Sequence, residues 1–257
     1  MILTGQGPIY IGTYDPINGK AASGYMVDVQ KIGCANTELS TAFTRSTKKI
    51  KESCSGSKLD FAEIETEKSA EVVLTMIDVD KNMLATAMGG TLTDVSASTV
   101  TGEEFPTVSV GDVVSLKYTD VSSVVITDDA SPSPATLVAG TNYVVLSAEH
   151  GLVQITNLAA FTQPLKAAYS YAAQGNITGF TASSVERGLL YQGVNTHDGK
   201  NYKLVIPRIS FGLDGSINWL SAEEAPVTLR GSMLYVPEFA NDTTYGPFMR
   251  VAGGMVK

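Results

Sequence analysis

Few residues in this 257-residue chain have the types and spacing that support chemistry. The two histidines, His150 and His197, fall in the turn sequences Ser147-Ala148-Glu149-His150-Gly151 and His197-Asp198-Gly199-Lys200, where an exposed side chain is the ordinary outcome. There is no His-x-x-x-His, Cys-x-x-Cys or Gly-x-Ser-x-Gly sequence. Cys34 and Cys54 stand about twenty residues apart without metal-ligand spacing; free thiols in a reducing cytosol are expected, with a disulfide as the alternative. Asp78, Asp80 and Asn82 imitate the start of an EF-hand, but the sixth position is Met83 rather than Gly and the twelfth is Gly89 rather than Glu. Gly5-Gln6-Gly7 with Gly12 has the wrong spacing for a dinucleotide fingerprint. Asp128-Asp129 is a loop pair without further ligands. Paired carboxylates for glycoside chemistry lack an aromatic setting, since Trp219 is the only tryptophan. The expectation is therefore a protein without catalytic, cofactor or metal site, and not an enzyme.

The densest patterning lies between Thr44 and Gly90. Arg45-Ser46-Thr47-Lys48-Lys49-Ile50-Lys51 is a basic arm, Glu52-Ser53-Cys54-Ser55-Gly56-Ser57 a small polar tip, and Asp60 to Glu71 an acidic arm. Two extended arms around a Ser/Gly tip predict a long β-hairpin. Folding at Ser55 or Gly56 sets Arg45 opposite Glu65 or Glu67 and Lys49 near Phe61 or Glu63, where opposite charges contribute about 0.2–1 kcal/mol per pair. Period-two alternation puts Glu63, Glu65 and Glu67 on one face and Ala62, Ile64 and Thr66 on the other. That row reads either as a solvated face paired with the lysines or as a carboxylate lining for something that must not adhere. Residues 70–79 are apolar on both faces, which predicts a strand covered on both sides. Asp80 or Asn82 then caps a helix of about two turns with Met83, Leu84, Ala87 and Met88 on one face, stopped by Gly89-Gly90.

These elements belong to a chain that reads as mostly β. Gly, Ser, Thr and Val are plentiful, and the length suits one large β domain or two smaller ones. Strands are expected at 9–11, 25–32, 105–118 (one strand or a pair), 121–127, 137–138, 143–146, 152–156, 165–172 and 186–193, with long strands at 202–213 and 227–236, and residues 38–44 begin the hairpin. A mobile loop is expected at 15–24 and an irregular tail at 237–257. Residues 101–173 form a strand block that reads as a small sandwich inserted in a discontinuous core of 1–100 and 174–257. The net charge of -8 and pI near 4.8 disfavour gripping nucleic acid through its phosphates, though not surrounding it. The N-terminus lacks the pattern of a signal peptide, and no apolar run approaches the ~18 residues of a membrane span.

Several blocks together resemble the tail tube (major tail) proteins of long-tailed, siphovirus-type bacteriophages. They are Ile32-Gly33-Cys34-Ala35-Asn36, Glu38-Leu39-Ser40, Lys51-Glu52-Ser53-Cys54-Ser55-Gly56, Ala70-Glu71-Val72-Val73-Leu74-Thr75-Met76 and Asn82-Met83-Leu84-Ala85-Thr86-Ala87-Met88-Gly89-Gly90. The middle block Gly140 to Val145 with His150 to Ile155 and Leu165 to Tyr171 is similar to an added segment of those proteins, and Ile206 to Phe211 through Val227 to Gly231 to their last strands. The resemblance implies a β-sandwich or partial barrel with one short helix, the long hairpin and an outward-facing inserted block. It also implies stacked hexameric rings in a virion tail, assembled in the host bacterial cytoplasm, through which DNA passes without specific binding. The implied partners are further copies of the chain, a tape-measure protein, a tail terminator and tail-tip proteins, with no cofactor and no membrane. In that setting Glu63, Glu65 and Glu67 are candidate lumen-facing acids. Lys48, Lys49, Lys51, Glu52, Ser53, Cys54, Ser55, Gly56 and Ser57 are candidates for a hairpin that reaches between rings. The rival expectation is an immunoglobulin-like binding or decoration module.

Overall fold

The computed structural model describes residues 4–158, 161–182 and 186–254. The ends of the N-terminal segment and tail read above, 1–3 and 255–257, lie outside the described residues, as do 159–160 of the expected insert. The chain divides into two compact units, Met1–Leu92 with Ile177–Lys257, and Thr93–Asn176. The expected insert of 101–173 lies wholly within the second.

In chain order the first unit contributes β1 (Gly5–Gln6), β2 (Ile9–Tyr14), β3 (Met26–Lys31), β4 (Asn36–Lys51), β5 (Asp60–Met76) and α1 (Lys81–Ala87). β6 (Thr91–Val95) carries the chain across the boundary. The second unit holds β7 (Ser98–Glu104), β8 (Val113–Ser115), β9 (Val121–Thr127), β10 (Tyr143–Ser147), β11 (Leu152–Ile155) and β12 (Lys166–Tyr171). β13 (Gln174–Thr178) returns the chain and pairs with β6. The first unit then ends with β14 (Glu186–Asn195), β15 (Asn201–Leu213), β16 (Val227–Met233) and β17 (Arg250–Gly253).

Among the described residues, the first unit's nine strands form one antiparallel sheet in the order β3-β2-β14-β15-β16-β5-β4, with β1 beside β14 and β17 beside β15. β3 and β4 stand at opposite ends of that order yet are joined by only Ile32 to Ala35. Six strand spacings in a flat sheet come to ~29 Å, whereas the five residue steps from Lys31 to Asn36 reach at most ~18 Å. The sheet must therefore curl. A cleft of about 670 Å3 fits this: it is lined by Tyr191 and Tyr202 of the middle strands together with Asn36 to Leu39 of the last one. Inside the curl, Ile9, Ile11, Val72, Leu74, Met76, Leu189, Ile206, Ile209 and Leu229 form one buried cluster.

Local sequence explains the elements. Pro207, which cannot donate to a ladder, sits in β15 where the register with β14 shifts and where neither β16 nor β17 pairs. Asp80 caps α1 by accepting from the N–H groups of Asn82 and Met83, both at 2.8 Å. Gly89 at φ 55 ends it, with Gly89 N–H bonded to the Thr86 carbonyl and Gly90 N–H to the Ala85 carbonyl, the paired pattern of a left-handed helix stop. The buried residues are Met83, Ala85 and Ala87; of the expected face, Leu84 and Met88 are only half-buried, and Ala85 is buried in their place.

The second unit has its own core. Sheets β10-β11-β8 and β7-β12-β9 enclose Val153, Ile155, Tyr143 and Leu116 from one side and Ile126, Ala167, Tyr169 and Phe105 from the other, a sandwich-like arrangement. The Tyr143 hydroxyl donates to the Val124 carbonyl at 2.8 Å and so ties the sheets together.

Four expectations are corrected. Residues 105–118 yield only β8; Phe105, Val108 and Leu116 are instead buried from non-strand backbone. Leu137 is buried and bonded to the Ile126 carbonyl but belongs to no strand. The tail contributes β17. Residues 70–79 are not covered on both faces: Val72, Leu74 and Met76 are buried, while Glu71 is exposed and Val73 and Thr75 are half-buried. On that second face Arg230 reaches Glu71 at 3.2 Å and Asp214 at 2.9 Å, a charged cover rather than a second core layer.

Candidate functional site

β4 and β5, 16 and 17 residues long, form the hairpin expected from the charged arms. Only its base belongs to the sheet. β16 pairs with β5 from Glu71 to Met76, and β4 is the terminal strand of the order. Beyond Ala70, which lies opposite Phe43, the two arms pair with each other alone, so 44–51 and 60–69 form a ribbon with an open edge on each side. At about 3.3 Å per residue, the eight residues of the unbulged arm extend it ~26 Å past the core. Every residue of those arms is exposed except the half-buried Ala62. Phe43 is 63% exposed and Phe61 78%, and Ile50, Leu59 and Ile64 are exposed with them. A two-stranded ribbon is marginal in water by itself, and one that shows aromatic residues on open edges invites pairing.

The register differs from a simple fold-back. Lys49 lies opposite Glu63, as expected, but Arg45 lies opposite Lys68. The cause is an extra residue in the acidic arm at Thr66, between the pairs Ser46↔Glu67 and Thr47↔Glu65; Phe61 is a second extra residue, between Ile50↔Ala62 and Lys51↔Asp60. Because cross-strand partners share a face, each bulge flips the alternation beyond it. Glu63 and Glu65 therefore lie on the face of Thr47 and Lys49, and Glu67 lies with Ser46 on the other. The expected single row of Glu63, Glu65 and Glu67 is broken by one bulged residue.

The face of Glu63 and Glu65 is instead a mixed ladder. Glu65 sits 3.7 Å from Arg45 Nε and 3.3 Å from Lys68 Nζ, while Asp60 meets Lys49 at 2.9 Å and Lys51 at 3.2 Å. The hydrogen bonds from Lys49 and Lys51 hold the Asp60 carboxyl below the usual carboxylate range. Exposed pairs of this kind each contribute about 0.2–1 kcal/mol. They fix the register more than they stabilise the fold.

The tip is built rather than slack. The Glu52 carboxylate accepts from the Ser55 hydroxyl, from Cys54 N–H at 2.8 Å and from Ser55 N–H at 2.9 Å. The Ser55 hydroxyl, followed by those two amides, holds its carboxyl below the usual range. Gly56, at φ 78, takes the left-handed position that a β-carbon disfavours. Glu52 N–H closes the loop on the Leu59 carbonyl at 2.8 Å.

Several of the other residues singled out in the sequence have structural partners. His150 and His197 are exposed in turns, and His150 Nδ1 lies 2.8 Å from the Ser147 hydroxyl. Cys34 and Cys54 are free and exposed. Asp78 accepts from Cys34 N–H at 3.3 Å, and Asp80 caps α1, so backbone amides occupy the carboxylates that imitated a calcium loop. Among the described residues, no group of three His, Cys, Asp or Glu could hold a metal ion, and no helix is long and apolar enough to cross a membrane.

Asp128 is buried and accepts from the N–H groups of Ala135 at 2.5 Å, Thr162 at 3.2 Å and Ala130 at 3.3 Å. The Ala135 bond in particular holds its pKa down against the opposing effect of burial. A depressed folded pKa gives stability that is present above the unfolded value of about 3.9 and lost as pH falls through the folded one. Melting of the second unit should weaken more steeply below about pH 4 in the wild type than in Asp128→Asn. Identical acid limbs in a calorimetric pH series would contradict this role.

A mostly β chain with a sandwich-like second unit and an open-edged hairpin is thus the class defined by fold and site. The chain belongs to the family described as protein of unknown function UCP028589, which matches residues 2–252. No curated protein matches it.

Proposed function

We propose that this chain is a structural virion protein that self-assembles into stacked rings, six-membered by the resemblance, and forms the tail tube through which DNA leaves. One observation carries the reading: the ribbon has two open edges of opposite charge. The β4 arm bears Arg45, Lys48, Lys49 and Lys51 without an acid, and residues 60–69 bear four carboxylates, Asp60, Glu63, Glu65 and Glu67, against the single Lys68. Lysines alone blunt an edge. A basic edge and an acidic edge on one ribbon repel their own kind and attract each other, which favours a head-to-tail contact that closes into a ring. A shared edge of this length offers on the order of ten ladder hydrogen bonds, each of about 0.5–1.5 kcal/mol net.

The lumen acquires a different character from the one read in the sequence. A wall made from the Glu63 and Glu65 face presents alternating charges with Lys49, Lys51, Arg45 and Lys68, and Glu67 is turned from it. Balanced charge releases few counterions from passing DNA, so it resists adhesion without strong repulsion. The core of the second unit suits a decoration or binding module, but the hairpin belongs to the first unit.

Negative-stain electron microscopy of the concentrated protein, beside its sedimentation profile, tests the proposal. Hollow tubes or stacked rings are expected. A chain that stays monomeric even with tail-tip and tape-measure proteins present overturns it.

A further inference from the structure

Two features of the first unit stand at opposite ends of its core strands. One is the loop between β15 and β16, whose tip is the chain's only tryptophan. Trp219 is 71% exposed and Leu220 93%, although Ile217 just before them packs on the core. Glu223 and Glu224 follow, both exposed. An indole and a leucine side by side in water are an unusual use of the largest apolar side chain, which can bury about 150–250 Å2.

The other feature is a groove of about 280 Å3 at the base of the ribbon, where the core face of β4 and β5 runs out from under Phe248. Phe43, Ala70 and Phe248 form its apolar lining, and Arg45, Lys68 and Glu65 its rim. Two cations against one carboxylate leave that rim positive, whereas the loop carries two acids. The loop leads into Val227, which pairs with Met76, while the groove lies at Ala70. Six residues of β5, ~20 Å, separate them along the strand.

We infer that the Trp219-Leu220 loop of one copy seats in the Phe43–Ala70–Phe248 groove of a second copy, with Glu223 and Glu224 against Arg45 and Lys68. The surfaces differ and lie at opposite ends of the strands, so the contact is heterologous and repeats along the strand direction. It stacks copies end to end, whereas the ribbon edges join them side by side. The inference rests on the self-assembly reading above and names a contact in addition to the hairpin tip.

The lone tryptophan makes the test direct. Its emission and its quenching by acrylamide are followed as the full chain passes from monomer to assembly. The expected result is a blue shift and strong protection on stacking. Trp219→Ala with Leu220→Ala should raise the concentration needed for tubes on the order of tenfold or more while leaving single rings. Arg45→Glu with Lys68→Glu should weaken stacking, and adding Glu223→Lys with Glu224→Lys should restore it. Tubes whose Trp219 stays as quenchable as in the monomer overturn the inference and leave the tube intact. A wild-type chain that never assembles overturns the tube, and this contact with it.

Discussion

Replacing Arg45 to Lys68 by a short Asn-Gly turn should leave a folded, soluble chain that no longer assembles at any concentration. The removed arms are exposed almost throughout, so little apolar area leaves the core, and melting of the first unit should shift by no more than the exposed ion pairs contribute, about 1 kcal/mol or less per pair. Assembly should respond very differently. Both open edges, the tip fastened by Glu52 and the exposed Phe61 and Ile64 go together. The ladder bonds those edges offer to neighbouring copies vanish, and Asn-Gly closes the shortened hairpin in a favoured turn. Sedimentation and microscopy of the shortened chain, beside its melting curve, decide the matter. Rings or tubes from it would show that the ribbon is not the assembling element.

Leu74→Ala should have the largest effect on folding. Leu74 is fully buried, with Leu39 opposite on one neighbour and Leu229 on the other. Truncating a buried leucine removes about 2–5 kcal/mol, and a unit of this size loses roughly 2–4 °C per kcal/mol. The first unit's midpoint should therefore fall by roughly 4–20 °C. Ile126→Ala is the control, since Ile126 is equally buried but belongs to the separate cluster of the second unit. Calorimetry should show each substitution lowering a different transition. One shared transition moving for both would mean that the two cores melt as one.

Much of this fold was legible because its signals were local. The charged arms announced the hairpin, Asp80 and Gly89 bracketed the helix, and Leu152 and Tyr143 lay in segments readable as strands. The hairpin's facing was not legible. It turns on Thr66 and Phe61, two bulged residues with no mark in the sequence, and a single extra residue moves Glu67 to the opposite face. The half-open face of residues 70–79 was misread because the charges covering it come from Arg230 and Asp214, more than a hundred residues away. The Trp219 loop did carry a signal: a tryptophan and a leucine together in a polar connection between two strong strands. Its complement, the groove beside Phe248, exists only once the tail has packed on the core.

The paired strands β6 and β13 contain both points at which the chain passes between its units, after Leu92 and before Ile177. Neighbouring strands lie about 5 Å apart, so a foreign domain whose own ends are adjacent can be grafted there without stretching either junction. The first unit then becomes a chassis: cargo enzymes, epitopes or fluorophores could be installed in place of residues 93–176, and any lattice the first unit builds would array them at regular intervals.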